Sequence, residues 1–212
     1  MLEYPSVPRS TGQEFREFDA YLFDKLDGSN LRFGYSKKQG WHKFGTRRSM
    51  FNETDPLFGR AIPLFKETLS EPLTELARKH NWKSCTVFAE FWGKSTLGGR
   101  QTDKDSRVLT VFDIAVENLG LLDPREFMNI AYSSRIAVDN LPRMLGRVRW
   151  TRGFVEKVYN GEVDGITHEG VVGKAVEGRE LILAKAKTKA WIDSIKEMYK
   201  EDEKMVERLL NS

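Results

Sequence analysis

Polar and apolar positions alternate along Tyr21-Leu22-Phe23-Asp24 and again along Leu31-Arg32-Phe33-Gly34-Tyr35, the period-two signature of strands. Asp27-Gly28 reads as the turn between them, and Lys37-Lys38-Gln39-Gly40 as the turn into a third strand around residues 41–46. Over residues 60–80 the period changes. Ile62, Leu64, Phe65, Leu69, Leu73, Leu76 and Ala77 recur mostly three or four apart, which predicts an amphipathic helix interrupted near Pro72. Two β-branched and aromatic runs, 85–93 and 108–116, predict further strands, and the Gly-, Ser-, Thr- and Asp-rich stretch 94–107 predicts a mobile loop between them. Asp123 as N-cap and Pro124 at the first position open a helix predicted over 124–140. Residues 181–187 read as a strand. Beyond them Trp191, Ile195, Met198, Met205, Val206, Leu209 and Leu210 predict helix over 188–212. Residues 1–20, with Pro5 and Pro8, read as a surface lead-in that packs through Phe15 and Phe18.

The 212 residues are 40% hydrophobic and 31% charged, a composition that predicts one domain, or one domain with a small appendage, around a substantial core. A formal net charge of +3 is too small to argue for nucleic acid by itself. Cations are instead clustered, as in Lys37-Lys38, Lys43, Arg47-Arg48 and Arg143, Arg147, Arg149 and Arg152. The neighbouring Trp41, Phe44, Trp150 and Phe154 tilt these clusters from a solvated face toward an RNA or DNA backbone. Cys85, the single cysteine, excludes an internal disulfide, and its apolar neighbours predict burial. No apolar run approaches the roughly 18 residues of a membrane span, and no signal-peptide core opens the chain, so the expected setting is cytoplasmic.

Some residues carry more chemistry than their local pattern requires. Lys25 ends a strand just before a tight turn, where an isolated K-x-D-G is ordinarily solvated. Glu90 interrupts an apolar strand, so it either faces outward or has a partner. Lys185 and Lys187 share one strand face and repel unless something anionic lies between them. Phe112 taken alone is a core residue, and Glu169 beside Gly170 a turn residue. His42 has no second histidine or cysteine at ligand spacing. Lys94-Ser95-Thr96-Leu97-Gly98-Gly99-Arg100 lacks the spacing of a P-loop.

Lys25-Leu26-Asp27-Gly28 resembles the nucleotide-accepting lysine motif of the covalent nucleotidyltransferases, the polynucleotide ligases and mRNA capping enzymes. In these the lysine amine attacks the α-phosphate of a nucleoside triphosphate. Thr46-Arg47-Arg48 resembles the site of a phosphate-contacting arginine, Arg47 being the first choice and Arg48 the second. Phe88-Ala89-Glu90-Phe91-Trp92-Gly93 resembles the motif whose glutamate binds the ribose hydroxyls and supports the metal, and Phe112 occupies the place of the aromatic that stacks on the purine. Glu169-Gly170-Val171-Val172-Gly173-Lys174 is similar to E-G-x-V-x-K, with Glu169 as a magnesium ligand, and Lys185-Ala186-Lys187 to the pair that holds the triphosphate.

The match runs from Asp24 to Lys187. It implies Lys25, Lys185 and Lys187 as catalytic residues and ATP with Mg²⁺ or Mn²⁺ as cofactors. It implies nucleotide contacts from Asp24, Lys25, Asp27, Arg47, Glu90, Phe112, Glu169, Lys174, Lys185 and Lys187, and metal contacts from Glu169 and Glu90. The expected fold is α+β, an ATP-grasp-like nucleotidyltransferase domain of antiparallel sheets flanked by helices over 1–187. A helical tail over 188–212 follows it, where capping enzymes and DNA ligases continue into an OB-fold domain. The motifs look most similar to nick-sealing RNA ligases of phages and RNA-editing systems. Asp27, where many of those carry histidine and DNA ligases carry aspartate, keeps DNA sealing open. A capping-type guanylyltransferase and a non-catalytic end-binding module are the remaining readings. The implied partner is a nucleic-acid end or nick, with no membrane, a monomeric chain, and a second protein as a source of the substrate clamp.

Overall fold

In the computed structural model the described residues are 1–10, 15–100, 106–178 and 180–211. They form two units: Met1–Pro5 with Gly28–Pro142, and Ser6–Asp27 with Arg143–Ser212. The fold is α+β, with two antiparallel sheets and six α-helices among the described residues.

In the first unit the alternation read from the sequence yields β2 (Ser29–Ser36), β3 (Gly40–Thr46), β4 (Ser84–Trp92) and β5 (Val108–Val116), closed by the two-residue β6 (Gly120–Leu121). Their order is β3-β2-β4-β5-β6. One face carries Leu31, Phe33, Val87, Ala89, Leu109 and Val111 into the core, where α1 (Ala61–Thr68), α2 (Ser70–Lys79) and α3 (Pro124–Tyr132) bury Phe65, Leu73 and Phe127. Phe33 and Phe65 stack with centroids 4.1 Å apart.

The helix predicted over 60–80 breaks at Leu69 rather than at Pro72. Pro72 lies in the first turn of α2, where a missing N–H costs nothing because those donors have no intrahelical acceptor. The helix predicted over 124–140 is shorter. Asp123 caps it through Arg125 and Glu126 as expected, but it ends at Tyr132, and only a 3₁₀ turn, Val138–Asn140, follows. Residues 94–100 form turns, and 101–105 of the predicted loop lie outside the described residues. Cys85 is buried, which pushes its thiol up to about 12.

The described residues of 1–10 are exposed or half-buried, as a surface lead-in should be, with the exception of Tyr4, and the segment is tied to the first sheet. The Leu2 N–H donates to Thr86 Oγ1 at 3.1 Å, and Arg32 donates to the Leu2 carbonyl at 3.0 Å. Tyr4 is buried, donates to Asp113 Oδ2 at 3.0 Å and packs its ring against Phe88 and Phe112. Burial first, then the Asp113 charge, raises the Tyr4 pKa well above its ordinary value, while Arg47 opposes the rise.

The second unit is the sheet β7-β1-β8-β9, from β1 (Phe18–Lys25), β7 (Met144–Trp150), β8 (Gly170–Glu177) and β9 (Glu180–Lys187). Its apolar face gathers Phe18, Ala20, Leu22, Trp150, Val171, Ile182, Ala184 and Ala186 against α4 (Arg152–Asn160). The sequence reading did not include β7 or α4. Arg147, Val148, Arg149 and Trp150 do alternate, but two exposed arginines on an edge strand read as a charge cluster. In the structure each arginine of that cluster has a partner: Arg143 Asp24, Arg147 the Tyr21 ring, Arg149 Glu17 and Asp19, and Arg152 the Phe15 ring. After β9 come α5 (Lys189–Met198) and α6 (Glu203–Asn211), as the helical spacing predicted.

Gly170 holds the closest approach in this sheet. Its φ is +152°, and a Cβ there would meet the Ala186 carbonyl oxygen at 2.0 Å and Lys187 Cα at 2.8 Å. Gly170→Ala must therefore prise β8 from β9, and we expect a loss of about 3 kcal/mol or more in urea unfolding. A loss under about 1 kcal/mol would mean that the two strands can spread at little cost.

Candidate active site

Alternation places the chemistry of the second unit on the sheet face opposite its apolar core. Along β1, Ala20 and Leu22 point into the core, so Tyr21, Phe23 and Lys25 point away. Lys25 pairs with Gly170 of β8 and Gly170 with Lys187 of β9, which sets the three segments side by side. Glu169, just before β8, is 2% exposed and stands between two ammonium groups: Oε2 lies 2.7 Å from Lys25 Nζ and Oε1 2.8 Å from Lys187 Nζ. Lys174, Lys185 and Lys187 are all more than nine-tenths buried, and Lys174 lies over the Phe23 ring at 5.2 Å.

Four lysines and one central carboxylate make this face strongly electropositive. Burial lowers the Lys187 pKa from 10.5 to about 8; Glu169 opposes that fall, while Lys25 and Arg9 deepen it. The desolvation and like-charge causes are those that make an amine easier to deprotonate. The arrangement can attract an anion and neutralise charge developing on it.

The flanking acids are tied into the framework. Asp24 Oδ1 accepts from the Thr167 N–H at 2.9 Å, and its Oδ2 from the Thr167 hydroxyl and from Arg143 at 3.1 Å. These bonds fix the end of β1 to the segment that leads into Glu169. Asp27 Oδ2 accepts from the Trp191 indole N–H at 2.6 Å, and the Trp191 ring lies 4.2 Å from Lys187 Nζ. Trp191 thus joins the Lys25 turn to the lysine strand. Residues 8–10 run beside β9: the Lys185 N–H donates to the Pro8 carbonyl and the Ser10 N–H to the Lys185 carbonyl, each at 3.2 Å, on either side of Arg9.

In the first unit Glu90, Trp92 and Phe88 share the face of β4 away from the core. Glu90 is half-buried between Asn30 of β2 and Thr110 of β5. Phe112 is half-buried too, outside the core cluster, with its ring 5.0 Å from that of Tyr4. The turn that opens β2 crosses this strand closely: a Cβ on Gly28 would meet the Phe91 carbonyl at 2.6 Å and Glu90 Cγ at 3.1 Å. Arg47 and Arg48 are exposed beyond β3. The Arg47 carbonyl accepts from Arg32, whose buried Nε has no hydrogen-bond partner among the described residues.

A sequence profile described as RNA ligase matches residues 13–192. The chain belongs to the RNA ligase family. Solved structures of similar fold include an archaeal ATP-dependent RNA ligase, at 18% identity and a TM-score of 0.66, over 94% of this chain and 52% of that one. Naegleria gruberi RNA ligase with pyrophosphate matches at 19% identity and a TM-score of 0.60, over 84% of this chain and 52% of that one. A mutant of the same enzyme with ATP and manganese matches at 19% identity and 0.58, over 83% and 51%. At such identities the likeness shows the shared fold, and this chain spans about half the length of these relatives. A comparison with curated proteins found no match.

Within the family fold, one sheet face of the second unit carries Lys25, Lys174, Lys185 and Lys187 with Glu169 beside them, while Glu90, Phe112 and Arg47 belong to the first unit. Sequence reasoning missed Trp191, Thr167, Arg9 and Tyr4. Trp191 was assigned only to a helical stripe, and nothing in its spacing signals an indole aimed at Asp27. No helix among the described residues is long and apolar enough to cross a membrane.

Proposed function

We propose that this chain is the nucleotidyl-transfer part of an ATP-dependent RNA ligase, joining 5′-phosphate and 3′-hydroxyl ends through a lysyl-AMP intermediate. The observation that carries the reading is the Lys25–Glu169–Lys187 cluster on one sheet face, in a chain of the RNA ligase family. Residues 1–187 form the transfer domain in this reading and 188–212 a helical tail. The chain acts as a cytoplasmic monomer, and a further protein or segment supplies the clamp on the nucleic acid.

Lys25 is the nucleophile. Its ammonium first loses a proton to solvent, since only the free amine has a lone pair to give. The amine then attacks the α-phosphorus, a P–N bond forms, the bond to the bridging oxygen breaks and pyrophosphate leaves. Lys185 and Lys187 hold the phosphates and offset the charge that builds on them, where most of the catalytic benefit of such sites arises. Glu90 binds the ribose, Phe112 stacks on the base, and Lys174 adds a cation beside the lysine pair. Arg47 is favoured over Arg48 for a phosphate, because its charge is felt at Tyr4 beside Phe112. The adenylate then passes to a 5′-phosphate, and a 3′-hydroxyl displaces AMP to seal the strand. Asp27, the feature that kept DNA open, is explained locally by its bond to Trp191.

A divalent ion fits Glu169. Its buried Oε1 has the Lys187 ammonium 2.8 Å away as its partner among the described residues, and a hard carboxylate oxygen with lone pairs to spare suits magnesium or manganese. Among the described residues no group of three or more His, Cys, Asp or Glu could hold a metal, so Glu169 would hold the ion largely through its water shell, with Glu90 in the supporting role of its motif. When bound, the ion supplies further positive charge to the triphosphate.

Incubation with α-labelled ATP or GTP and magnesium, followed by denaturing electrophoresis, tests the reading. A band labelled from ATP is expected; label from GTP alone would turn it to the capping class, and none from either to a binding scaffold. Phe112→Ala should weaken ATP binding about tenfold while the melting temperature moves little, as expected for a ring that stacks on ligand rather than in the core. A large melting shift with normal affinity would return Phe112 to packing.

A further inference from the structure

The lysine pair already has a partner within the chain. Lys185 Nζ donates to the Asn211 carbonyl at 2.8 Å, and Lys187 Nζ to the Leu209 carbonyl at 2.7 Å. Both acceptors lie in the last turn of α6 as it is described, on residues two apart. Two carbonyls two residues apart thus meet two ammonium groups two residues apart on a strand. We propose that α6 is a built-in competitor of the nucleotide's phosphates, its C-terminal carbonyls holding the lysine pair until a triphosphate takes their place.

This inference rests on the reading of Lys185 and Lys187 as phosphate ligands. Buried ammonium groups are costly without acceptors, and α6 supplies them while the site is free of nucleotide. A phosphate, with formal charge and several oxygens, is the stronger acceptor and displaces neutral carbonyls. Release is also easy on the side of the helix. Leu209 is its one buried residue among those described, and the remainder are half-buried or exposed. Between α5 and α6 an open cleft of about 500 Å³ is lined by Arg9, Lys196 and Lys200 and by Glu203, Val206 and Glu207 of α6. A short turn, in which the Asp202 N–H donates to the Tyr199 carbonyl at 2.8 Å, connects the two helices and provides a hinge.

Two variants of the full chain test this without touching the lysines. Leu209→Ala trims the apolar anchor, and Glu207→Pro breaks the helix at an exposed position. The probe is inorganic tripolyphosphate, titrated calorimetrically. If α6 is docked about nine-tenths of the time, both variants bind it about tenfold more tightly than the unaltered chain. In the unaltered chain, saturating tripolyphosphate should also speed hydrogen exchange at 203–211. Unchanged or weaker affinity in folded variants, no binding at all, or amides of α6 that stay protected at saturation would each overturn the competition. Neither readout depends on lysyl-AMP. A chain that takes no label yet releases α6 to tripolyphosphate would defeat the ligase reading alone, and a chain that labels with α6 still protected would defeat this one alone.

Discussion

Lys25→Ala gives a protein that folds as before and takes up no label from α-labelled ATP, with attachment slowed by at least about a thousandfold. The stability half of that result follows from burial. The Lys25 side chain is 19% exposed, and once it is gone Glu169 still has the Lys187 ammonium 2.8 Å away, so no carboxylate is stranded. The chemical half follows from the nucleophile, since no other amine stands at the end of β1 in this pattern. Lys25→Arg separates charge from nucleophilicity. A guanidinium can keep the ion pair with Glu169 but does not shed its proton in proteins, so this variant should be as inactive as alanine. The measurement is label per mole on a denaturing gel, with circular dichroism as the check on folding. Either variant labelling at a rate near that of the unaltered chain would move the nucleophile elsewhere and remove the basis of the proposed function.

The strands that carry this chemistry were legible because alternation is a local property. β1, β2, β3, β4, β5 and β9 lie within a few residues of their predicted bounds, and the lysine pair falls on one face as its spacing required. β7 was illegible for a local reason as well: its arginines face outward at an edge, and charge masks the apolar half of the alternation. The break at Leu69 shows that proline position matters more than proline presence. What no window of sequence contains is which distant partner a polar side chain finds. Asp27 and Trp191 are 164 residues apart, and Asp24 and Thr167 are 143 apart. Tyr4 looked like part of a lead-in for the same reason, because its burial is created by Phe88, Phe112 and Asp113 far along the chain. The motif lysines and Glu169 could be named from the sequence, but not their pairing, nor the fact that helix carbonyls satisfy two of them.

Glu169→Ala should be among the most destabilising substitutions in the chain, costing about 3–5 kcal/mol at pH 7 in metal-free buffer, because it removes the carboxylate of a buried ion pair while the Lys187 ammonium stays buried. Lys187 is the group that suffers: its ammonium is buried, and loss of the carboxylate removes the attraction that now opposes desolvation. The sign of the pH dependence follows. Lys187 in the folded chain titrates near 8 against 10.5 in its ordinary state, so from about pH 8 to 10.5 the unfolded chain binds more protons and stability rises with pH. Without Glu169 the folded value falls further, and the rise starts at lower pH. The deficit of the variant should therefore be greatest below pH 7 and shrink as Lys187 becomes neutral. Urea unfolding of both proteins from pH 6 to pH 10 measures this directly. Lys187→Met, which keeps the length of the side chain without its charge, should recover part of the loss when combined with Glu169→Ala. A deficit that is flat across this range, or a double variant no more stable than Glu169→Ala alone, would mean that Glu169 acts through packing rather than through charge.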